Sequence, residues 1–340
     1  MNLQTATVQV GFDLELFKLL CKSEAPRSTG DISAETGADT ALIGRILRYL
    51  AAIGAVDERA SGQFAANHVT RNLAEKVTEC GVRHYFASVS RQYQALPRFL
   101  GETGYAEPGD EVRTVFQSAW GTASHAFAWF GARPENLRRL NDFMAARREP
   151  GRSWLSVYPV EGRLREAGGC APSRPLYVDV GGGIGHQCAQ FRERYPDVPG
   201  RVVLQDLPHS IAAALPTPGV ENMAHDFFEP QPVQGAKFYF MRWILHNHPH
   251  HKILKLLANT KAAMATVQDS ILLIDEMILP ETNAHVDAVA IDLTMMCAFA
   301  GMERTEKQWR SILDEAGLKL TNIYLYNPDS HESVMEVRLI

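Results

Sequence analysis

The stretch LYVDVGGGIGH, from Leu176 to His186, contains the pattern that decides the fold. An apolar run ends at Val180 and leads directly into a glycine loop, after which the sequence takes a helical pattern. Such a loop lets a ligand approach the main chain closely at the start of a helix. A dinucleotide fingerprint starting at Gly181 needs glycine at position 186, where this sequence has histidine. The run G-x-G-x-G therefore favours S-adenosylmethionine (SAM) over NAD.

Acidic residues at the ends of neighbouring strands support a nucleoside ligand. Asp206 ends the run RVVLQD, 27 residues after Asp179, where its carboxylate is suited to bind both ribose hydroxyls. Asp226 and Phe227 are expected past the third strand, where an acid binds the adenine amino group and an aromatic ring covers the base. A lone glycine loop also fits a plain tight turn, but these acids favour a cofactor site. The residues predicted to bind the cofactor are Asp179, Gly181, Gly183, Asp206, Asp226 and Phe227.

Short β-branched runs alternate with helical segments after Gly169, which predicts a parallel, doubly wound sheet. These runs are LYVDV, RVVLQD, AKFYFMRW and SILLIDEMIL. Two final runs, 319–326 and 333–340, are joined by a segment containing Asn327-Pro328-Asp329, which is too short for a helical crossover. We therefore expect an α/β fold that ends in an antiparallel hairpin.

The first hundred residues have a different, mainly helical pattern. The segment 31–58 followed by 62–67 is typical of the helix-turn-helix and hairpin of a winged helix. We expect a winged-helix domain over 1–100, and a helical linker with the sheet domain over 101–340. A winged helix can also bind DNA, but this region is poor in positive charge. Its acidic residues include Asp31, Glu35, Asp39, Asp57 and Glu58.

Composition narrows the function further. The chain has 340 residues and a formal net charge of -5, which gives no general reason to expect a nucleic-acid partner. Its five cysteines are scattered without CxxC spacing, which argues against a disulfide framework and a zinc knuckle. The N-terminal segment lacks the pattern of a signal peptide or a membrane anchor. A reducing, cytoplasmic location is therefore expected, with no membrane partner.

Several separated motifs, in order along nearly the whole chain, resemble the plant caffeic-acid-type and fungal secondary-metabolite O-methyltransferases. The motifs are SWLSVYPV (153–160), VDVGGGIG (178–185), QDLP (205–208), MRWILHNHP (241–249), LLIDEMILP (272–280) and DLTMMCAFAGMERTEKQW (292–309). The resemblance implies a winged-helix dimerisation domain and a seven-stranded Rossmann-like domain that binds SAM. It further implies a metal-independent homodimer that methylates a small hydroxylated aromatic compound and releases S-adenosylhomocysteine.

The resemblance also assigns the chemistry. His246 occupies the family's general-base position, and Glu276 and Glu303 match the two acids that flank it. A carboxylate on the far ring nitrogen would fix the tautomer and stabilise the imidazolium. Taken alone, residues of these three types are more often a satisfied histidine, a strand-end acid and a solvated loop charge than catalytic groups, and the resemblance reverses that preference.

Other site residues also come from the resemblance. Leu207 and Arg242 match cofactor-side positions, and the predicted substrate-binding residues are Met144, Asp292 and Met296. Where many relatives read HDWPD, this chain has Asn247 and His248 in place of the acid and the tryptophan. The histidines of this segment could suggest a metal site, but a proline interrupts them and no cysteine or acid lies at ligand spacing, so none is predicted.

Three functions remain open from the sequence. The first is O-methylation of a hydroxylated aromatic compound with His246 as the base. The second is a non-methylating dehydration or pericyclic cyclisation, in which the bound SAM cation acts electrostatically; the altered segment after His246 motivates this alternative. The third is a SAM-sensing, winged-helix regulator that binds nucleic acid.

Overall fold

The computed structural model describes residues 2–146 and 153–340. The α-helices, in chain order, are α1 (Asn2–Asp13), α2 (Leu16–Cys21), α3 (Thr29–Thr36), α4 (Thr40–Ala52), α5 (His68–Ala74), α6 (Lys76–His84), α7 (Ser90–Glu102), α8 (Val115–Trp120), α9 (Ala126–Gly131), α10 (Pro134–Ala146), α11 (Val160–Glu166), α12 (His186–Arg194), α13 (Pro208–Ile211), α14 (His250–Met264), α15 (Val286–Phe299) and α16 (Glu306–Glu315). The strands are β1 (Arg27–Ser28), β2 (Asp57–Ala60), β3 (Gln63–Ala65), β4 (Pro175–Val180), β5 (Arg201–Asp206), β6 (Val220–Ala224), β7 (Phe238–Arg242), β8 (Ile271–Leu279), β9 (Arg304–Thr305), β10 (Leu318–Asn327) and β11 (Glu332–Leu339). A π-helical turn spans Tyr85–Val89, and 3-10 turns span Trp154–Ser156 and Leu245–Asn247.

The chain forms two compact units. The first comprises Met1–Gln94 and Phe127–Arg148, and the second comprises Ala95–Ala126 and Glu149–Ile340. The described residues 127–146, which contain α10, thus pack within the first unit, although they lie in the range 101–340 that the sequence assigned to the linker and sheet domain.

The first unit is built around α3, α4 and a small sheet. Ser28 caps α3 by accepting a hydrogen bond from the main chain of Asp31, and the helix begins at the next residue, Thr29. Buried residues of α4 recur at helical spacing and form one apolar face: Ile43, Leu47 and Leu50. The three short strands pair in the order β1-β3-β2, antiparallel throughout.

The second unit contains a large mixed sheet with the strand order β10-β11-β8-β7-β4-β5-β6. The strands from β8 to β6 pair in parallel, and β9 adds to β8 in the same direction. The last strand, β11, lies between β10 and β8 and is antiparallel to both. This topology confirms the predicted Rossmann-like α/β fold with an antiparallel final strand.

The central strands β4, β5, β7 and β8 are buried on both faces, as their continuous apolar runs require. Alternate residues of β7 and β8 divide between two apolar clusters, one on each face. One cluster includes residues of α14 and α16, and the other includes Trp154 and Phe191 of α12. Helices on both faces leave the carboxyl ends of the parallel strands as the edge where ligands bind in such sheets.

No helix within the two described ranges combines the length and the apolar run needed to cross a lipid bilayer.

Candidate active site

The glycine loop after β4 takes a shape that only glycine adopts easily. Gly181, Gly183 and Gly185 have positive φ angles of 72°, 62° and 91°. A Cβ atom at Gly181 would lie 2.6 Å from Cδ1 of Ile244, and one at Gly185 would lie 2.9 Å from Cδ2 of Leu204. A Cβ atom at Gly183 would meet no atom within 4 Å. The loop is therefore tightly packed at its two ends and open at its centre, where a ligand can approach the main chain.

Asp206 is the last residue of β5, and its carboxylate binds the main chain of the glycine loop. The N–H of Gly183 donates to Oδ2 at 2.8 Å, and the N–H of Leu207 donates to Oδ1 at 2.7 Å. Two main-chain donors therefore fix the orientation of this carboxylate beside the open centre of the loop. The structure brings together Gly183, Asp206 and Leu207, which the sequence predicted separately.

Asp179 lies beneath the glycine loop. Its side chain is only 1% exposed, and Sγ of Cys188 lies 3.7 Å from Oδ2. A Cβ atom at Gly182 would overlap the Asp179 carboxylate, so the main chain of the loop passes directly over it. The geometry supports a role for Asp179 in shaping the loop.

Asp226 and Phe227 follow β6, and the ring of Phe227 lies beside Gly181. A Cβ atom at Gly181 would lie 3.3 Å from Cε1 of Phe227, which places this ring beside the loop. The carboxylate of Asp226 accepts a hydrogen bond of 2.9 Å from the main chain of Phe228. The predicted aromatic cover, Phe227, is thus adjacent to the glycine loop.

His248 stands where the resemblance implies a tryptophan, and it belongs to a polar network that the sequence did not reveal. Its ring packs edge-to-face against Phe227 and Phe228, with centroid distances of 5.7 and 5.1 Å. Its Nδ1 lies 3.3 Å from Oε2 of Glu111, and Nζ of Lys252 donates to Oε1 of Glu111 at 2.7 Å. Burial alone would raise the pKa of Glu111, but the hydrogen bonds from His248 and Lys252 outweigh it and lower the pKa to about 2.

Arg242 is the last residue of β7, and its side chain forms an ion pair with Asp275. Its guanidinium donates to Oδ2 of Asp275 at 3.1 Å and lies 4.6 Å from the ring of Trp243. Tyr326 donates a hydrogen bond of 2.8 Å to Oδ1 of Asp275. Burial raises the pKa of Asp275 to about 6, against the opposing charge of Arg242. The closest charged partner of Arg242 is therefore Asp275, within the sheet.

The three predicted catalytic residues meet in one buried cluster. His246 lies in the 3-10 turn after β7, Glu276 lies in β8, and Glu303 directly precedes β9. Nδ1 of His246 lies 2.5 Å from Oε1 of Glu303 and 3.7 Å from Oε2 of Glu276. The exposed fractions of the three residues are 8%, 0% and 2%. The structure therefore joins three segments that are distant in sequence around a single imidazole.

Glu276 also holds the turn that carries the histidine. Its Oε1 accepts hydrogen bonds from the main-chain N–H groups of Ile244, Leu245 and His246, at 3.1, 2.9 and 3.3 Å. These are the donors that the start of a helical turn leaves unpaired. One buried carboxylate thus fixes the main chain around His246.

The charges of the cluster change its protonation. Burial alone would lower the pKa of His246, but the carboxylates of Glu303 and Glu276 outweigh it and raise the pKa to about 9. Burial raises the pKa of Glu276 to about 7, against the charge of His246. The imidazole is therefore strongly basic.

The ligand atoms of this cluster lie within 4.8 Å of one another, which also suggests a metal site. The distance of 2.5 Å between His246 and Glu303 is that of a hydrogen bond. Two ligands bound tetrahedrally to one zinc ion would lie about 3.3 Å apart. The spacing of His246 and Glu303 is therefore that of a hydrogen-bonded pair, shorter than the spacing of two ligands on one zinc ion.

The predicted substrate-binding residues are divided between the two units. Met144 lies on α10 in the first unit, and Asp292 and Met296 lie one turn apart on α15 in the second. Oδ1 of Asp292 accepts a hydrogen bond of 2.8 Å from the main chain of Glu303. Asp292 is thus connected to the His246 cluster, a link that the sequence did not predict.

Comparison with known proteins agrees with this geometry. The family model described as an O-methyltransferase domain matches residues 172–319. The chain is 38% identical over 326 residues to O-methyltransferase lepI of Aspergillus flavus, covering 95% of this chain and 83% of the relative. It is 37% identical over 336 residues to demethylsterigmatocystin 6-O-methyltransferase of Aspergillus parasiticus, covering 98% of this chain and 85% of the relative.

Solved structures show the same architecture. The structure of LepI in complex with SAM matches with a TM-score of 0.89 and 36% identity, covering 99% of this chain and 86% of LepI. A structure described as a pericyclic reaction enzyme matches with the same TM-score, identity and coverage. The bound SAM of the first structure agrees with the cofactor predicted from the glycine loop. Sequence, fold and relatives together show that this chain belongs to the family of SAM-dependent O-methyltransferases.

Proposed function

We propose that the protein transfers a methyl group from SAM to a hydroxyl group of a small aromatic acceptor, with His246 as the general base. The observation that carries this proposal is the contact of 2.5 Å between Nδ1 of His246 and Oε1 of Glu303. This contact fixes the proton on Nδ1, while Nε2 makes no hydrogen bond to the described residues. In the neutral imidazole the second ring nitrogen is therefore available to accept a proton from a substrate.

The residues around the glycine loop fit SAM. The open space at Gly183 admits a ligand to the main chain, and the adjacent Asp206 carboxylate suits the two hydroxyls of a ribose. Phe227 offers an aromatic face beside the loop for the base. The proposed cofactor-binding residues are Asp179 (from beneath the loop), Gly181, Gly183, Asp206, Leu207, Asp226, Phe227 and Arg242. We propose that Met144, Asp292 and Met296 contact the acceptor.

When bound, SAM supplies a methyl group that is already activated by the sulfonium charge. The protein then has to deprotonate the acceptor hydroxyl and orient its oxygen. His246 takes the hydroxyl proton on Nε2 and becomes an imidazolium, and the Glu303 carboxylate on Nδ1 stabilises that charge. Glu276 keeps the turn of His246 in place through three main-chain hydrogen bonds.

Replacement of the base tests this proposal. His246→Ala is expected to leave the Kd for SAM unchanged and to reduce methyl transfer by about 10²–10⁴-fold, which is the typical contribution of a general base. His250→Ala is the matched control, because His250 lies nearby but is exposed and pairs with Glu315. Turnover of candidate phenols with methyl-labelled SAM, measured by mass spectrometry, gives the answer. Turnover of H246A equal to that of the wild type would refute the assignment.

A second function is supported by a specific combination of observations. A structural relative at 36% identity is a pericyclic reaction enzyme, and the raised pKa of His246 keeps its imidazole protonated at neutral pH. A protonated imidazole donates a proton to a leaving hydroxyl, as a dehydration requires. In that case SAM would act through its charge alone. Formation of product without S-adenosylhomocysteine would favour this function over methyl transfer.

We propose that residues 1–100 form a winged-helix dimerisation domain and that 101–340 form the linker and the methyltransferase domain. The order β1, α3, α4, β2, β3, with its three-stranded sheet, supports the winged helix. Sedimentation equilibrium is expected to give the mass of a homodimer, twice the 37.8 kDa of one chain. All five cysteines are unpaired, which supports a reducing compartment such as the cytoplasm.

A further inference from the structure

The segment between α15 and β9 approaches the turn of His246 through main-chain atoms. The N–H of Met302 donates to the carbonyl oxygen of His246 at 3.0 Å. A Cβ atom at Gly301 would overlap that same oxygen, and it would lie 3.2 Å from the carbonyl carbon of Asn247. Because both obstacles are main-chain atoms, they cannot move aside as the end of a side chain can. This close approach therefore requires glycine at position 301.

Glu303, which follows Met302, is held by a residue of α15. Oδ1 of Asp292, on α15, accepts a hydrogen bond of 2.8 Å from the main-chain N–H of Glu303. The side chain of Glu303 then reaches Nδ1 of His246 at 2.5 Å. The main chain of Glu303 is thus fixed by Asp292, and its neighbour Met302 is fixed by His246 itself.

We infer that Asp292 and Gly301 are positioning residues for the catalytic pair. Asp292 fixes the main chain of Glu303, and Gly301 permits the close contact with the turn of His246, so that the Glu303 carboxylate stays on Nδ1. This inference rests on the proposed function of His246 as a base, and it assigns to Asp292 a role beyond the proposed contact with the acceptor.

The physical reason is the steep dependence of a short hydrogen bond on distance and angle. If the main chain of Glu303 moves, the proton on Nδ1 loses its acceptor and the imidazole loses its fixed tautomer. A misplacement of about 1 Å at a catalytic group reduces turnover by about 100-fold. The geometry of the Asp292 contact does not need the charge of the carboxylate, because a neutral amide oxygen at the same position also accepts the Glu303 N–H.

Proton NMR of the full-length enzyme with ¹⁵N-labelled histidine tests the inference without SAM or acceptor. The N–H proton shared by His246 and Glu303 gives a downfield resonance, which H246A identifies by its loss. We expect Asp292→Ala and Gly301→Ala to remove or shift this resonance, and Asp292→Asn to retain it. Asp287→Ala is the control, because Asp287 lies on the same helix but has a side chain that is 81% exposed.

A folded D292A protein with the wild-type resonance, or a D292N protein without it, would overturn the inference. If D292A does not fold, G301A decides, and an unchanged resonance in G301A would overturn the inference equally. Turnover provides a second readout: kcat should fall by about 100-fold in D292A and G301A, and most of it should return in D292N. If the wild type transfers no methyl group, the proposed function fails, but the resonance still reports whether the two residues position Glu303.

Discussion

Glu303 contacts Nδ1 of His246 at 2.5 Å, although 57 residues separate the two along the chain. The contact joins the turn after β7 to the residue before β9, and it places a carboxylate oxygen on Nδ1 of the imidazole. Because Glu276 holds the same turn from β8, three elements of the sheet domain converge on one side chain. The chemistry of the site follows from this convergence.

The pH dependence of activity should show the raised pKa of His246. A base accepts a proton only in its neutral form, and the pKa of about 9 keeps the imidazole of the free enzyme protonated at lower pH. We therefore expect kcat/KM to rise by about tenfold per pH unit and to level off near pH 9. A steady-state pH profile checks this expectation, measured with an acceptor whose own hydroxyl stays protonated over the whole pH range. A flat profile between pH 6 and about 9 would contradict it.

Glu303→Gln should shift the pH profile of kcat/KM to lower pH. Loss of the carboxylate charge removes a cause of the raised pKa, so the inflection should shift to lower pH. The maximal rate should also fall, by about 100-fold, because the amide does not stabilise the imidazolium as the carboxylate does. Glu306→Gln is the matched control, since Glu306 is exposed and pairs with Arg310 in α16. An E303Q profile that superimposes on that of the wild type would exclude the proposed pairing.

Glu276→Ala should loosen the turn around His246. The substitution leaves three main-chain N–H groups without their acceptor, at a cost of about 1–3 kcal/mol for each buried donor. Hydrogen exchange measured by mass spectrometry should show at least about tenfold faster exchange at residues 244–246. Glu276→Gln retains an acceptor oxygen and should exchange more slowly than the alanine variant. Equal protection in the wild type and E276A would show that the carboxylate does not hold the turn.

Asp206→Ala should weaken SAM binding. The variant loses both the carboxylate proposed to bind the ribose and the acceptor of the Gly183 N–H. Hydrogen bonds to a charged group contribute about 1.5–3 kcal/mol each, so the Kd measured by calorimetry should rise by at least about tenfold. Asp197→Ala, at an exposed turn of the same unit, serves as the control. An unchanged Kd in D206A would remove Asp206 from the cofactor site.

Glu111→Gln should reduce stability in a pH-dependent way. The folded-state pKa of Glu111 is lowered from 4.5 to about 2, so its charge stabilises the fold above about pH 4.5. That contribution is lost as the pH falls from about 4.5 towards 2. At pH 7 the melting temperature of E111Q should lie below that of the wild type, and the difference should shrink over this acid range. Glu102→Gln, an exposed control on α7, should show no such difference. A constant difference at every pH would point to packing instead of charge.

The sequence predicted the sheet domain well because its signals are local. The apolar runs that became β4, β5, β7 and β8 are buried on both faces, and the connection between β10 and β11 is too short for anything but a hairpin. β6 was expected only from the position of the strands around it, because its sequence VENMA carries little apolar pattern and three of its five residues are exposed. A partly exposed edge strand gives a weak sequence signal.

The site residues that belong to a sequence motif could be predicted. Those that come together only through tertiary contacts could not. The glycine loop and Asp206 follow from strand ends, whereas the contact of Glu111 with His248 joins residues 137 positions apart. Neither the residue types nor their spacing in the sequence predicts such a pair. Likewise, the role of Asp292 towards Glu303 depends on a main-chain N–H, which every residue except proline offers.

The stoichiometry between S-adenosylhomocysteine and product tests the proposed reaction most directly. The wild-type enzyme, incubated with methyl-labelled SAM and a phenolic acceptor that it converts, should form one molecule of S-adenosylhomocysteine for each molecule of labelled product. H250A should show the same ratio, and H246A should form little of either compound. Conversion of the acceptor without S-adenosylhomocysteine, and without label in the product, would contradict methyl transfer.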